Sequence, residues 1–197
     1  MNAPAESHHD LYIRTGNAGF YLRNDNRGVT LMDNRINWTF EGREDGAPYT
    51  NIRSVHLQTG GDWRNPIGMC RITFADGYAL IVTNADSGGS PDDAQRSLYR
   101  DFVRDLGTRL GELLQGTINF TCGLQGFRYP LIIVCGVLLG IMCIGVPIFI
   151  MIKTGSLFEP GMALLAGVGL YWPLITWAEK NSPRNFNPYH PPEELLR

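Results

Sequence analysis

The chain has 197 residues, a formal net charge of −2 and a hydrophobic share of 44%. A charge so close to zero provides no basic field for nucleic acid, so the composition excludes a nucleic-acid-binding function. The mean hydropathy of −0.12 averages a polar first two thirds with an apolar final third. These two parts need different solvents, and the chain is predicted to lie partly in water and partly in a membrane.

Residues 1–10 are polar and are predicted to form a flexible tail. They lack the apolar core of a signal peptide, so we expect the N-terminal part to stay in the cytoplasm. His8, His9 and Asp10 are metal-ligand residue types, but no second cluster completes a set of four, and no metal site is predicted. The four cysteines have no metal or disulfide spacing, and we expect free thiols.

Seven short runs before residue 84 are predicted as strands. Ile36, Trp38 and Phe40 alternate with polar residues, which indicates a strand with one buried face. Asp76 and Gly77 separate two such runs, which is a strong hairpin signal. The charged residues 41–48 are predicted to form a loop. The seven runs are 11–14, 20–24, 29–32, 36–40, 49–58, 69–74 and 78–83.

A helix is predicted after these strands, with Ser90 as its cap and Pro91 at its first position. Gly107 and Gly111 lie inside it and allow two interpretations. They permit a close approach of the helix to the barrel, or they loosen the last turns, which is the interpretation we favour. The apolar stripe of this helix consists of Leu98, Phe102, Leu106, Leu110 and Leu113.

The stretches GVTLMDNRINWTF, PYTNIRSVHLQ, CRITFADGYALIV and SPDDAQRSLYRDFVRDLGTRL give seven strands followed by one helix. This order resembles the pleckstrin-homology (PH) superfold, and in particular bacterial PH-like domains tethered to membrane helices. The resemblance implies an α+β fold, with a seven-stranded PH-like β-barrel or sandwich over residues 11–115 capped by a C-terminal α-helix. Other small barrels with a terminal helix fit the same pattern. Membership implies a binding or scaffolding role without catalysis.

Lipid-headgroup recognition is an alternative that the PH resemblance suggests. Such sites use clustered cations between the first strands, where this chain has Arg14, Arg23 and Arg27 as candidates. Asp25 and Asp33 lie beside them and offset much of their charge. A lipid-sensing module at the cytoplasmic face is therefore the second hypothesis.

Residues 116–129 are predicted as a connector, and residues 130–152 as a first transmembrane helix. This uncharged run of about 23 residues would span about 34 Å as a helix, enough to cross a bilayer. A core helix of a soluble protein is disfavoured because 197 residues could hardly surround it. Residues 157–178 are predicted as a second transmembrane helix, with Gly155 ending the first. Together they form an antiparallel hairpin; a re-entrant second segment broken at Pro173 is the alternative.

Flanking charges predict the orientation of the hairpin. Arg128 precedes it, Lys180 and Arg184 follow it, and only Lys153 lies in its loop, so both termini are expected in the cytoplasm at an inner membrane. Interface positions are predicted for Tyr129, Trp172 and Trp177. Small residues that allow close helix packing, either within the hairpin or with a partner, are Gly136, Gly140, Ala163 and Gly167.

No catalytic, cofactor or metal residues are predicted. Ser54 and His56 share a strand face, but the sequence places no acid beside them, so a hydrolase acting through His56 is only a third hypothesis. The loop at residues 87–90 lacks the lysine of a phosphate-binding loop. Residues 179–197 are predicted as an extended, polar, proline-rich tail.

We therefore expect a non-enzymatic, two-pass membrane protein whose cytoplasmic PH-like domain is an accessory, scaffold or assembly subunit. The expected partners are membrane lipids and a membrane protein, or a second copy of the chain.

Overall fold

The computed structural model describes residues 6–15, 26–61, 66–86, 88–113, 116–124, 126–155 and 158–196. Two compact units are present. The first unit, which we call the sheet domain, combines Met1–Gly123 with Arg184–Arg197. The second unit, the helical hairpin, is Leu124–Pro183. The sheet domain is therefore built from two separate parts of the chain.

The sheet domain contains one open sheet of nine strands, in the order β4-β3-β2-β1-β7-β6-β5-β8-β9. Neighbouring strands are antiparallel except for the parallel pair β5 and β8. Strand β1 pairs with β2 along one edge and with β7 along the other, so it joins two meanders. The strands are β1 Glu6–Thr15, β2 Asn26–Met32, β3 Arg35–Phe40, β4 Arg43–Pro48, β5 Ile52–Gly61, β6 Pro66–Phe74, β7 Ala79–Thr83, β8 Asn119–Cys122 and β9 Arg184–Asn185.

The expected seven-stranded β-barrel or sandwich is wrong in strand number, and the nine-stranded sheet is not closed into a barrel. Strand β4 falls in the predicted loop at residues 41–48, where no large apolar side chain marks a strand. Strands β8 and β9 fall in the predicted connector and tail, and they are too short to show an alternating pattern. Strand β1 begins at Glu6, inside the predicted flexible tail. The predicted strand at residues 20–24 lies outside the described residues.

Helix α1, Asp93–Leu113, packs its apolar stripe into the core of the sheet domain. Tyr99, Phe102, Leu106 and Leu110 are almost fully buried. Each such burial stabilises the fold by about 1.5–3 kcal/mol. The predicted stripe members Leu98 and Leu113 are instead exposed at the margins of this face.

The start of α1 differs from the expected cap at Ser90. The backbone N–H of Ala94 donates to Asp92 Oδ1 at 2.9 Å, so Asp92 caps the helix. Ser90 lies in the preceding turn, where its backbone N–H donates to Asp86 Oδ1 at 2.7 Å. The observed cap lies two positions after the predicted one, because Pro91 forms a bridge with Ala85 before the helix begins.

The C-terminal segment packs against α1 and enters the core of the sheet domain. A Cβ atom on Gly107 would collide with the Pro188 carbonyl, and one on Gly111 would lie 2.7 Å from the Tyr189 ring. Leu195 and Leu196 belong to the buried core cluster. The two glycines thus permit a close approach of the C-terminal segment, not of the barrel as the other interpretation had it, and our preference for loosened helix turns was wrong.

The helical hairpin contains α2 Arg128–Gly140, a π-helical segment Ile141–Gly145, α3 Val146–Thr154 and α4 Phe158–Lys180. The first three form one continuous helix, and the π-helical segment comes just before Pro147, whose ring prevents regular α-helical bonding to the preceding turn. The left-handed Gly155 ends it, as predicted. Helix α4 continues through Pro173, which gives no support to a re-entrant segment.

Two helices of the hairpin are long and apolar enough to cross a membrane. They cover Tyr129–Thr154, with a mean hydropathy of 2.8, and Pro160–Glu179, with 1.4. Most of the large apolar side chains of these two helices are exposed on the surface of the folded chain. Such surface needs lipid or another apolar partner.

We predict that Gly107→Ala destabilises the sheet domain, although alanine favours helix by about 1 kcal/mol. The new methyl group would meet the backbone of Pro188. Overpacking costs about 1–3 kcal/mol, so a net loss of up to about 2 kcal/mol is expected. Thermal unfolding measures it, with Ser97→Ala, at an exposed position of the same helix, as the control. Equal stabilisation by both substitutions would contradict the packing described above.

Candidate functional site

Within the sheet domain, the chain leaves after β8 and re-enters at β9, and these two strands are adjacent. Strand β8 pairs in parallel with β5, and β9 pairs with β8, with Cys122 opposite Arg184. Paired residues have Cα atoms about 4.5–5.5 Å apart. The chain therefore leaves the sheet domain and returns to it at neighbouring points. Within the hairpin, the Leu124 N–H donates to the Asn181 carbonyl at 2.9 Å, which ties its two ends together.

Side chains of the sheet domain hold the returning segment in place. The Phe120 and Phe186 rings meet edge to face at 5.7 Å, and the Phe186 N–H donates to the Phe120 carbonyl. Arg104 of α1 pairs with Glu193 at 2.5 Å. Because that ion pair is exposed, it contributes little, and the buried leucines near the C-terminus carry most of the anchoring.

His56, the only candidate of the enzymatic hypothesis, lies on β5 beside β8. It is buried opposite Thr121, and its Nδ1 is 2.9 Å from Thr121 Oγ1. Burial lowers the pKa of His56. Among the described residues, no acidic side chain pairs with this imidazole. The histidine thus connects β5 to β8, and its geometry favours a structural role.

A buried polar network that the sequence analysis missed connects β1 to α1. Asp105 accepts hydrogen bonds from Ser7 Oγ and, at 2.8 Å, from Arg109 Nε. His9 Nε2 lies 3.6 Å from the same carboxylate. Burial lowers the pKa of His9, and Asp105 partly opposes this shift. The spacing of Asp105 and Arg109, one helical turn apart, is the feature of the sequence that could have predicted their ion pair.

The three residues of metal-ligand type at positions 8–10 have different partners and do not form one site. His8 Nδ1 is 2.9 Å from Thr30 Oγ1, and Asp10 pairs with Arg27 at 2.9 Å. His9 belongs to the network with Asp105. Within the described ranges, no group of three metal-ligand side chains converges.

Three of the four small residues predicted for helix packing face the other helix of the hairpin. A Cβ on Gly140 would lie 3.2 Å from the Tyr171 ring, and one on Gly136 3.9 Å from Leu174. Gly167 lies directly against the Cys143 carbonyl. Ala163 is exposed. The geometry thus places the glycines inside the hairpin.

The remaining candidates are dispersed. Tyr129 is half-buried, whereas Trp172 and Trp177 are exposed on α4. Arg14 is half-buried on β1. Arg27 is engaged locally, since it pairs with Asp10 and lies 4.6 Å from the Tyr12 ring centre. Arg23 lies outside the described residues. Of the three proposed headgroup cations, Arg27 therefore already has an ionic partner.

The fold and the course of the chain define the class of protein. It has a discontinuous, mostly antiparallel sheet domain whose sequence is interrupted by an apolar helical hairpin. No protein-family model matches the chain, and a search of curated proteins finds no match. The resemblance to PH-like domains therefore has only the strand pattern as its support.

We predict that the sheet domain becomes less stable as the pH falls through about 6.5. The pKa values of His9 and His56 are lowered in the folded state, so below that pH the unfolded chain binds more protons. Stability therefore rises with pH through this window and is greatest above it. Thermal unfolding between about pH 5.5 and 7.5 should show a weaker pH dependence in His9→Gln with His56→Gln. The exposed His190→Gln is the control; equal pH dependence in all variants would contradict the prediction.

Proposed function

We propose that this chain is a two-pass integral membrane protein whose PH-like sheet domain lies on the cytoplasmic side. There it acts as an accessory, scaffold or assembly subunit that holds a protein partner at the membrane. The pairing of β8 with β9 is the single observation that carries the topology. The strands that precede and follow the hairpin, β8 and β9, pair in one folded sheet and therefore lie on one side of the membrane. In this proposal the segment between them crosses the membrane an even number of times.

The surface of the hairpin supports insertion. In an 18-residue apolar window of each candidate span, only 6% of the first and 12% of the second is buried inside the chain. The glycines face inward, so the outward surface is formed by large apolar side chains such as Leu138, Phe149 and Leu165. This is the surface that lipid tails would cover.

The order of strands and helix supports the PH-like assignment in part. One meander, β1 to β4, joins a second, β5 to β7, along β1, and helix α1 then covers the core. Strands β8 and β9 extend this plan at the β5 edge. At the opposite end, β4 pairs with β3 alone within the described residues. An open edge strand is a surface to which another chain can bind, which favours a protein partner.

The lipid-sensing alternative has less support, because Arg27 is paired with Asp10. A lipid module would need a cationic surface that attracts anionic headgroups. Arg14 and Arg23 are the other candidates for this role.

We predict that both flanks of the hairpin label from the same side of the membrane. Single cysteines at exposed Asn119 and Asn185 should react with a membrane-impermeant maleimide only after cells are opened. Thr154→Cys, at the exposed last residue of α3 beside the loop between the helices, should react in intact cells. The background replaces Cys135 and Cys143 by alanine, and the native Cys70 and Cys122 are buried. Labelling of Asn119→Cys and Asn185→Cys from opposite sides would contradict the proposal.

We also predict that the full chain, purified from its native membrane in mild detergent, carries a second protein in a fixed ratio. Cross-links from that protein should map to the sheet domain. An unrelated two-pass protein with the same tag is the control. Recovery of an isolated monomer would contradict the scaffold role, and recovery with anionic lipid alone would favour the lipid-sensing alternative.

A further inference from the structure

A pocket of about 350 Å³ lies beside the free edge of the sheet, between β4 and the turn that joins β6 to β7. Its wall includes the aromatic rings of Trp38, Phe74 and Tyr78 and the carboxylates of Asp45 and Asp76. The backbone of β4 forms another part of the wall. The volume is within the range of small-ligand sites and is large enough for one long side chain.

The aromatic part of the pocket is fixed by the core. Trp38 and Phe74 are each 4% exposed, and their ring centres are 5.6 Å apart. The Tyr78 ring stacks on Trp38 at 6.1 Å with an interplanar angle of 18°. Aromatic faces attract cations, and the half-buried Tyr78 is the most accessible of the three rings, with Trp38 stacked behind it. Its buried indole N–H has no acceptor among the described residues, which is unusual for a buried donor.

The acidic part of the pocket is also held in place. Asp45 Oδ1 accepts from the Gly46 N–H at 2.7 Å, and Asp76 Oδ1 accepts from the Tyr78 N–H at 2.9 Å. Across the described ranges, neither carboxylate forms an ion pair, whereas Asp10 and Asp105 do. Among the described residues, the pocket therefore has two oriented negative charges that no cation pairs with.

We propose that this pocket binds the arginine side chain of an extended segment of a protein partner. The inference rests on the proposed function and names the chemistry of its partner. The planar guanidinium stacks on aromatic rings and donates in pairs to carboxylates, and it gives up water more easily than an ammonium group. The adjacent β4 edge can accommodate an extended backbone. An anionic ligand would be repelled by Asp45 and Asp76.

The test uses the full chain in detergent micelles with ¹⁵N-labelled tryptophan. N-acetyl-arginine amide is the probe, and N-acetyl-citrulline amide is its neutral isostere. The Trp38 indole signal, assigned with Trp38→Phe, should shift and saturate with the arginine probe. We expect the citrulline probe to bind at least about tenfold more weakly, and added salt to weaken arginine binding.

Matched variants test whether arginine binding depends on the pocket or on nearby residues outside it. Asp45→Asn with Asp76→Asn should weaken arginine binding at least about tenfold. Glu44→Gln, an exposed residue of β4 that does not line the pocket, should leave binding unchanged. Equal binding of arginine and citrulline would overturn the proposal even if the double variant failed to fold. An unmoved Trp38 signal would overturn it too.

The same double variant distinguishes this proposal from the proposed function. If Asp45→Asn with Asp76→Asn still recovers the native partner at the wild-type ratio, the pocket proposal fails and the scaffold role stands. If the wild-type chain recovers no partner, the scaffold role fails, and the arginine titration still decides whether the pocket binds a guanidinium group.

Discussion

The pairing of β8 with β9 is the contact on which the rest of the structure depends. It closes a loop of about 60 residues, at an entropy cost of about 4 kcal/mol for a flexible chain. Two paired residues on each strand recover only about 1 kcal/mol for each hydrogen bond. Leu195 and Leu196 are almost fully buried and contribute about 1.5–3 kcal/mol each. Their burial is what offsets the remaining cost of closing the loop. The antiparallel helices also bring the chain back, which reduces the closure cost.

This arrangement makes the sheet domain dependent on the hairpin. The segment that covers α1 at Gly107 and Gly111 is synthesised only after both apolar helices. Before that point, Gly107 has no Pro188 against it, and the core lacks two leucines. Completion of the sheet domain therefore follows synthesis of the hairpin. The two-pass topology proposed above agrees with this order, because it would return the tail to the same side as the rest of the sheet domain.

The predictable parts of the fold were those with a local signal. The two apolar helices follow from uninterrupted runs, and Gly155 from the need for a left-handed residue at a helix end. Strands β8 and β9 had no such signal, since a strand of two residues such as Arg184–Asn185 exists only through its neighbours. The same holds for Gly107. The sequence around this glycine does not show which segment packs against it, because Pro188 is brought there only by the fold.

The candidate site was harder to predict than the fold because it depends on non-local contacts. His9 was assigned to a solvated tail, but it is buried against Phe102 and Asp105, which lie far away in the sequence. Alternation identified Trp38 as buried, yet the pocket beside it requires the turn at Asp76, from a different meander. Patterns within one segment identify buried faces, and only the pairing of segments shows which polar groups meet.

The two edges of the sheet differ in the length of their outermost strand, and this difference bears on the proposed function. At one end, the β5 edge is covered by β8 and then by the two-residue β9, which is too short to attract another strand. At the other end, β4 is six residues long and carries Arg43, Glu44 and Asp45 before Pro48. Such charges and a proline oppose unselective pairing of edges. In the proposed complex, a partner that brings a cation to Asp45 would remove part of that opposition, so the same carboxylate would both limit self-association and select a complementary chain.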